Sequence, residues 1–71
     1  MKIIFTDHAK KRLNQRAISI KDVRAALKSP TVRKPSYKPT KIIQKITNKG
    51  TLEIVFKEVD RNYIIITLYY L

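Results

Sequence analysis

The sequence contains no cysteine, no tryptophan and only one histidine, His8. Without thiols the chain has neither a disulfide framework nor a thiolate metal site, and a single imidazole excludes a histidine-rich metal centre. Long apolar runs are missing too, since none approaches the roughly 18 residues of a membrane span and Met1 to Phe5 is too short for a signal peptide. These absences predict a cytoplasmic protein that needs no metal and no other cofactor.

Acidic residues are scarce, with 16 Lys and Arg against 5 Asp and Glu and a net charge of +11. Residues 1–41 hold twelve cations and two acids, whereas residues 42–71 hold four cations and three acids. The positive charge is therefore concentrated in the first part of the chain. This distribution favours a polyanion partner, with RNA or DNA the leading candidate, although an acidic protein would use the same surface.

The chain is long enough for a single domain over residues 1–71. Lys2 to Phe5 is a β-prone run suited to an edge strand. Thr6 and Asp7 supply an N-cap and a negative first turn for a helix that ends near Arg16 or Ala17. Ser19 to Asp22 resembles a capping box at the start of a second helix.

The second helix is predicted at about Ile20 to Lys28, with Pro30 as its stop. Its apolar stripe consists of Ile20, Val23 and Leu27, with Ala26 alongside. Residues 29–40 contain all three prolines and are predicted to form an extended connector with a short edge strand around Thr31 to Arg33.

From Lys41 onward the apolar period is two, which predicts three antiparallel strands in meander order, with Leu52, Ile54 and Phe56 on one side of the second. Residues 48–50 and 60–62 are predicted turns, with Gly50 where a positive φ is needed. The last run, Tyr63 to Leu71, is apolar on both faces, as in a central or doubly covered strand. Alternation assigns one face to Ile64, Ile66 and Leu68. It assigns the other to Tyr63, Ile65, Thr67 and Tyr69, whose polar members need partners or a cleft.

Two groups of residues have the chemistry of a phosphate-binding surface. At 100° per residue, His8, Arg12 and Arg16 share an arc of about 80° and a stripe about 12 Å long, while Ala9 and Leu13 form the apolar side of the helix. The segment around the prolines has an aromatic ring among cations. This pattern is typical of a surface that stacks on bases and contacts phosphates, and it is equally typical of a polar loop. The further residues predicted to contact nucleic acid are Lys11, Arg33, Lys34, Tyr37, Lys38 and Lys41.

The pattern His-x-x-x-Arg-x-x-x-Arg-x-Ile-Ser, then Asp-Val in the second helix and Ile-Thr-x-Tyr in the last strand, resembles a small domain of unknown function. That domain is related to toxins of the barnase, EndoU, colicin and RelE group and is similar in size to the BrnT toxins. The resemblance spans Phe5 to Tyr70. It implies an α+β, RelE-like fold in which two N-terminal helices pack on a small antiparallel sheet of three to four strands.

The resemblance also implies a metal-independent endoribonuclease in which a 2′-hydroxyl attacks the adjacent phosphate. Its implied site residues are His8, Arg12, Arg16, Thr67 and Tyr69. The sequence departs from the family at position 17, where Ala replaces the usual Gly and a left-handed conformation would cost on the order of 1 kcal/mol.

In such a site His8 is expected to act as a neutral base, because the helix dipole and neighbouring cations disfavour its charged form. Since there is no second imidazole, Tyr69 or a lysine would have to serve as the acid. Two alternatives predict the same basic face: a non-catalytic nucleic-acid-binding module, and an interaction domain that docks an acidic antitoxin-like protein.

Overall fold

Two helices cover one face of a five-stranded sheet in the computed structural model, which describes residues 2–35 and 37–71. The elements, in chain order, are β1 (Ile3–Phe5), α1 (Asp7–Gln15), α2 (Ile20–Lys28), β2 (Val32–Lys34), β3 (Thr40–Thr47), β4 (Gly50–Val59) and β5 (Asn62–Tyr70). The strand order is β1-β5-β4-β3-β2, and only the β1–β5 pair is parallel. The predicted α+β class and meander are confirmed. The sheet has five strands rather than three or four, because β1 and β2 each add an edge to the meander.

Both helices begin at the predicted caps. The Thr6 side chain accepts a hydrogen bond from the Ala9 amide at 3.1 Å. The Ser19 hydroxyl accepts bonds from the amides of Lys21 and Asp22 at 3.1 and 3.4 Å. These caps satisfy amide groups that have no partner within the first helical turn. Neither helix of the described residues is long and apolar enough to cross a membrane.

The core lies between the helices and one face of the sheet, hereafter the helix-covered face. It consists of Ala9, Ile18, Val23, Ala26, Leu27, Ile43, Leu52, Ile54, Phe56, Ile65 and Leu68. Ile20 was predicted to join this core, but it is 50% exposed. At 100° per residue, Ile20 lies at the margin of the arc that the buried residues of α2 define, so its side chain stays at the surface.

A β-bulge in β5 overturns the predicted alternation of that strand. Val55 pairs with Thr67, but Phe56 pairs with Ile65, so Ile66 has no partner on β4. An extra residue in one strand reverses the facing of everything after it. Ile65 and Leu68 are therefore both buried against the helices. Thr67 and Tyr69 share the opposite face with Ile64; this face carries no helix and is hereafter the open face. β5 lies between β1 and β4, but helices cover only one of its faces.

The predicted turns are confirmed. Gly50, at the start of β4, has a φ of 128°. Asp60 and Arg61, between β4 and β5, have φ values of 51° and 67°. Two consecutive positive φ values are the signature of a tight hairpin turn that matches the twist of the strands.

The end of α1 adopts a left-handed turn at a non-glycine residue. Ala17 has a φ of 50°. The Ile18 amide donates to the Leu13 carbonyl at 3.0 Å, and the Ala17 amide donates to the Asn14 carbonyl at 3.4 Å. This is the bonding of a Schellman cap, in which glycine is the preferred residue. The turn therefore keeps the usual geometry although its usual glycine is missing.

We expect Ala17→Gly to raise the free energy of unfolding by about 0.5 to 1 kcal/mol, because it relieves the left-handed strain. Urea denaturation measures this change. Ala25→Gly is the control, since Ala25 is exposed in the interior of α2 and the substitution there should destabilise by about 1 kcal/mol. If both changes destabilised the protein equally, the turn at Ala17 would not be strained.

Candidate functional site

Beyond the end of β1, the start of the first helix is hydrogen-bonded to the edge of β5. β1 pairs with β5 only as far as Ile65. The Thr6 amide then donates to the Ile65 carbonyl at 3.1 Å, and the Thr6 hydroxyl donates to the Ile66 carbonyl at 3.1 Å. Through these bonds α1 starts beside the bulge of β5. Ala9 is buried against the core, and His8, one residue earlier, reaches the open face.

His8, Arg12 and Thr67 form the centre of the candidate site. His8 Nε2 lies 3.1 Å from Thr67 Oγ1, and Arg12 Nε donates to His8 Nε2 at 3.5 Å. A guanidinium has donors only, so His8 Nε2 acts as the acceptor. In this tautomer the His8 proton is on Nδ1, and the Thr67 hydroxyl lies within hydrogen-bond distance of the same Nε2. The arrangement leaves a basic nitrogen beside a fixed cation, as proton transfer next to a phosphate requires.

Arg16 stands apart from this centre. It is the exposed C-cap of α1, and its amide donates to the Arg12 carbonyl at 3.0 Å. It continues the stripe of His8 and Arg12 one turn further along the helix. Lys11 is also exposed on α1. The structure thus brings together three of the five predicted site residues and leaves Arg16 at the end of the stripe.

Tyr69 belongs to a second cluster on the open face, two residues beyond Thr67 in β5. Its hydroxyl donates to Glu53 Oε2. Gln44 Nε2 donates to Glu53 Oε1 at 2.8 Å, and Lys34 Nζ lies 3.7 Å from the same oxygen. Glu53 is only 6% exposed and is the one buried charged residue of the described chain. A carboxylate with donors on both oxygens tolerates such burial.

Glu53 is a residue that sequence reasoning missed. The only signal was an acid within an apolar strand of a chain that has five acids in all. That signal acquires meaning only with the register, which pairs Glu53 with Tyr69 on one side and with Gln44 on the other.

The pKa values of Glu53 and Tyr69 shift in opposite directions. Hydrogen bonds from Tyr69 and Gln44, with the charge of Lys34, lower the pKa of Glu53 against the opposing effect of its burial. The hydrogen bond to Glu53, burial and the carboxylate charge raise the pKa of Tyr69. Tyr69 therefore keeps its proton and directs it at Glu53. Loss of that proton would leave a phenolate beside a carboxylate, so the geometry favours Tyr69 less as the acid that the sequence suggested.

The predicted nucleic-acid contacts divide between the two faces of the sheet. Lys34 pairs with Ile42 and lies on the open face, with its ammonium beside Glu53. Arg33 pairs with the buried Ile43 and therefore lies on the helix-covered face. Lys41 pairs with Phe56 on that same face, and its ammonium binds Glu58 Oε1 at 2.9 Å. Of these three cations only Lys34 shares a face with Thr67.

The loop between β2 and β3 carries the other two predicted contacts. Tyr37 is 94% exposed, and Lys38 is exposed beside it. Tyr37 and Pro35 line a groove of about 340 Å³ with Thr40 and Ile42. Ile42 is an open-face residue, so this groove opens onto the face that carries the candidate site. Stacking of a base on Tyr37 stays a prediction.

We expect Glu53→Gln to weaken the dependence of stability on acid pH. A carboxyl group whose pKa is lowered by folding stabilises the protein above its unfolded pKa, and this contribution is lost as the pH falls through the folded value. The free energy of unfolding of the parent, from urea titrations between about pH 6 and about pH 3, should therefore fall more than that of the variant.

Glu58→Gln is the matched control, because Glu58 is on the same strand and also pairs with a lysine but its side chain is 41% exposed. It should keep the acid dependence of the parent. An acid dependence that survived in Glu53→Gln and disappeared in Glu58→Gln would show that the Glu53 cluster does not stabilise the fold.

The comparisons with known proteins identify a family for the chain but no activity. No curated protein matches the chain, and no solved structure matches it. One family model matches residues 5–70, from the last residue of β1 to the last residue of β5. The chain therefore belongs to the DUF4258 family, a domain of unknown function.

Proposed function

We propose that this protein is a metal-independent endoribonuclease whose site consists of His8, Arg12 and Thr67. The observation that carries the proposal is the placement of His8 Nε2 between the Thr67 hydroxyl, at 3.1 Å, and Arg12 Nε, at 3.5 Å. A base, a cation and an orienting hydroxyl at one exposed position supply proton removal and charge stabilisation, two of the contributions that transesterification of a phosphodiester needs.

The reaction follows from these groups. His8 Nε2 removes the proton of a 2′-hydroxyl, the 2′-oxygen bonds to the adjacent phosphorus, and the bond from phosphorus to the 5′-oxygen breaks. The products are a 2′,3′-cyclic phosphate and a 5′-hydroxyl end. The leaving oxygen takes its proton from solvent, since Tyr69 directs its own proton at Glu53. A reaction without a positioned acid lacks part of the usual acid-base advantage, so we expect slow turnover.

The cationic residues provide binding. Arg12 lies beside the His8 imidazole, and its guanidinium is suited to two parallel hydrogen bonds with a phosphate. Arg16 continues the stripe toward the next phosphate. The net charge of +11 attracts RNA over longer distances. The resemblance of the chain to a small domain related to toxins of the barnase, EndoU, colicin and RelE group supports a toxin role, with an acidic antitoxin-like protein as the partner that would cover the basic face.

We expect His8→Ala to lower the rate of RNA cleavage by about 10²- to 10⁴-fold, the usual contribution of a general base. The assay is incubation with a single-stranded RNA in EDTA, followed by analysis for 2′,3′-cyclic phosphate ends. RNA affinity should change little, because Arg12 and Arg16 remain to contact the phosphates. If the parent bound RNA without cleaving it, or if the variant cleaved as fast as the parent, the binding module would be the better description.

We expect Arg12→Ala to weaken RNA binding and turnover without a large loss of stability, because Arg12 lies at the surface. Leu13→Ala should have the reverse effect, since Leu13 packs against the core and its truncation should cost about 2 kcal/mol. Thermal unfolding and RNA titration of both variants separate the two residues. Equal losses of stability would contradict the assignment of Arg12 to the site.

A further inference from the structure

We propose that the RNA site extends across the open face to Lys34, which binds a phosphate next to the scissile one in a single strand. The inference rests on the proposed function, because it takes the phosphate at His8 as its starting point. It defines the substrate class as single-stranded RNA with at least one phosphate besides the one that is cleaved.

The register of the sheet supplies the geometry. Thr67 pairs with Val55, Val55 with Ile42 and Ile42 with Lys34, so these four residues form one row across four strands. Neighbouring strands are about 4.8 Å apart, so the row is about 14 Å long. His8 and Arg12 stand at the Thr67 end of the row. One cation therefore lies at each end of a continuous surface.

The surface between the two cations is suited to unpaired nucleotides. Val55 and Ile42 are half-buried and carry no helix above them. An apolar surface of this kind is suited to packing against the faces of unpaired bases, which a single strand exposes and a duplex hides. The neighbouring row, with Tyr69, Glu53 and Gln44 in register, forms a polar border along one side of this floor.

Lys34 is held in place and still accessible. Its ammonium lies 3.7 Å from Glu53 Oε1, while its side chain remains 48% exposed. The Glu53 carboxylate accepts hydrogen bonds from Tyr69 and Gln44 as well. Because its negative charge is offset by these donors and by Lys34, Glu53 orients the ammonium without closing the row to a phosphate.

The neighbouring cations serve as internal contrasts. Arg33 precedes Lys34 in the same strand but lies on the helix-covered face, and Lys41 is bound to Glu58 on that face. Charge alone would make these residues equivalent to Lys34. Of these three cations only Lys34 lies in the row with Thr67. Lys57, two residues beyond Val55 in β4, shares the open face but lies in the adjacent row.

The experiment compares two substrates in EDTA. One is a dinucleoside monophosphate, which contains only the scissile phosphate, and the other is a single-stranded oligonucleotide of about six nucleotides. We expect Lys34→Ala to lower kcat/KM for the oligonucleotide by roughly fivefold to tenfold and to leave kcat/KM for the dinucleoside monophosphate within about twofold. Lys34→Met, which keeps the aliphatic stem, should behave in the same way.

The matched control is Arg33→Ala, which removes one cation from the adjacent position on the other face. It should affect both substrates alike, and by less than the loss that Lys34→Ala causes for the oligonucleotide. If Lys34→Ala impaired both substrates equally, or if Arg33→Ala reproduced its selective loss, the subsite at Lys34 would be disproved.

A parent protein that cleaves neither substrate would contradict the proposed function without deciding the subsite. Binding then decides it. In titrations of a single-stranded RNA at several salt concentrations, Lys34→Ala should reduce the slope of log affinity against log salt by about one, as expected for one lost phosphate contact. An unchanged slope in Lys34→Ala would refute the subsite even in a protein that only binds RNA.

Discussion

Thr6 joins the first helix to the last strand, and the position of the candidate site depends on this junction. Its side chain caps α1 through the Ala9 amide, while its amide and hydroxyl donate to the carbonyls of Ile65 and Ile66. One residue thus supplies hydrogen-bond partners to an amide at the start of α1 and to two carbonyls on the edge of β5, beyond the last residue that pairs with β1. Because both ends of this junction are hydrogen-bonded, His8 is held within hydrogen-bond distance of Thr67, although the two are 59 residues apart in the chain.

The position of the candidate site also depends on the bulge in β5. Without it, alternation would carry Thr67 and Tyr69 to the face opposite the one they occupy. With it, Ile65 and Leu68 both fill the core, and the polar pair is left on the open face. Bulges are common beside functional sites because they redirect side chains without ending a strand. Here the redirected side chains are the hydroxyl that contacts His8 and the phenol that contacts Glu53.

One acidic residue, Glu53, fixes the arrangement of the polar side chains on the open face. Glu53 gathers Tyr69, Gln44 and Lys34 around a buried carboxylate on the open face. Such a cluster keeps its members in place because each donor satisfies part of a charge that would be costly to bury alone. The open face therefore has a hydrogen-bonded polar border, and Lys34 lies at a defined position along it.

The sequence by itself determined the elements, because local chemistry decides where helices and hairpins begin and end. Thr6 and Ser19 were recognisable as caps, Gly50 as a turn residue, and the spacing of Val23 and Leu27 as the buried side of a helix. Position 17 was identified as a place of strain from the family resemblance, in which glycine is usual there. His8 and Arg12 were recognisable as one stripe, since a helix brings residues four apart onto one side. The exposure of Ile20 could not be predicted, because this residue lies at the edge of the apolar arc of its helix.

Only the tertiary structure decided which of these residues meet. The bulge at Ile66 leaves no mark in the alternation of an apolar strand, so the facing of Thr67 and Tyr69 followed from pairing with β4 and not from the pattern of β5. Register likewise separated Lys34 from Arg33, which composition treats as equivalent. Glu53 acquired its partners across two strand pairs. Contacts of this kind join residues that are far apart in the chain, and they depend on how the strands are aligned, which local periodicity does not specify.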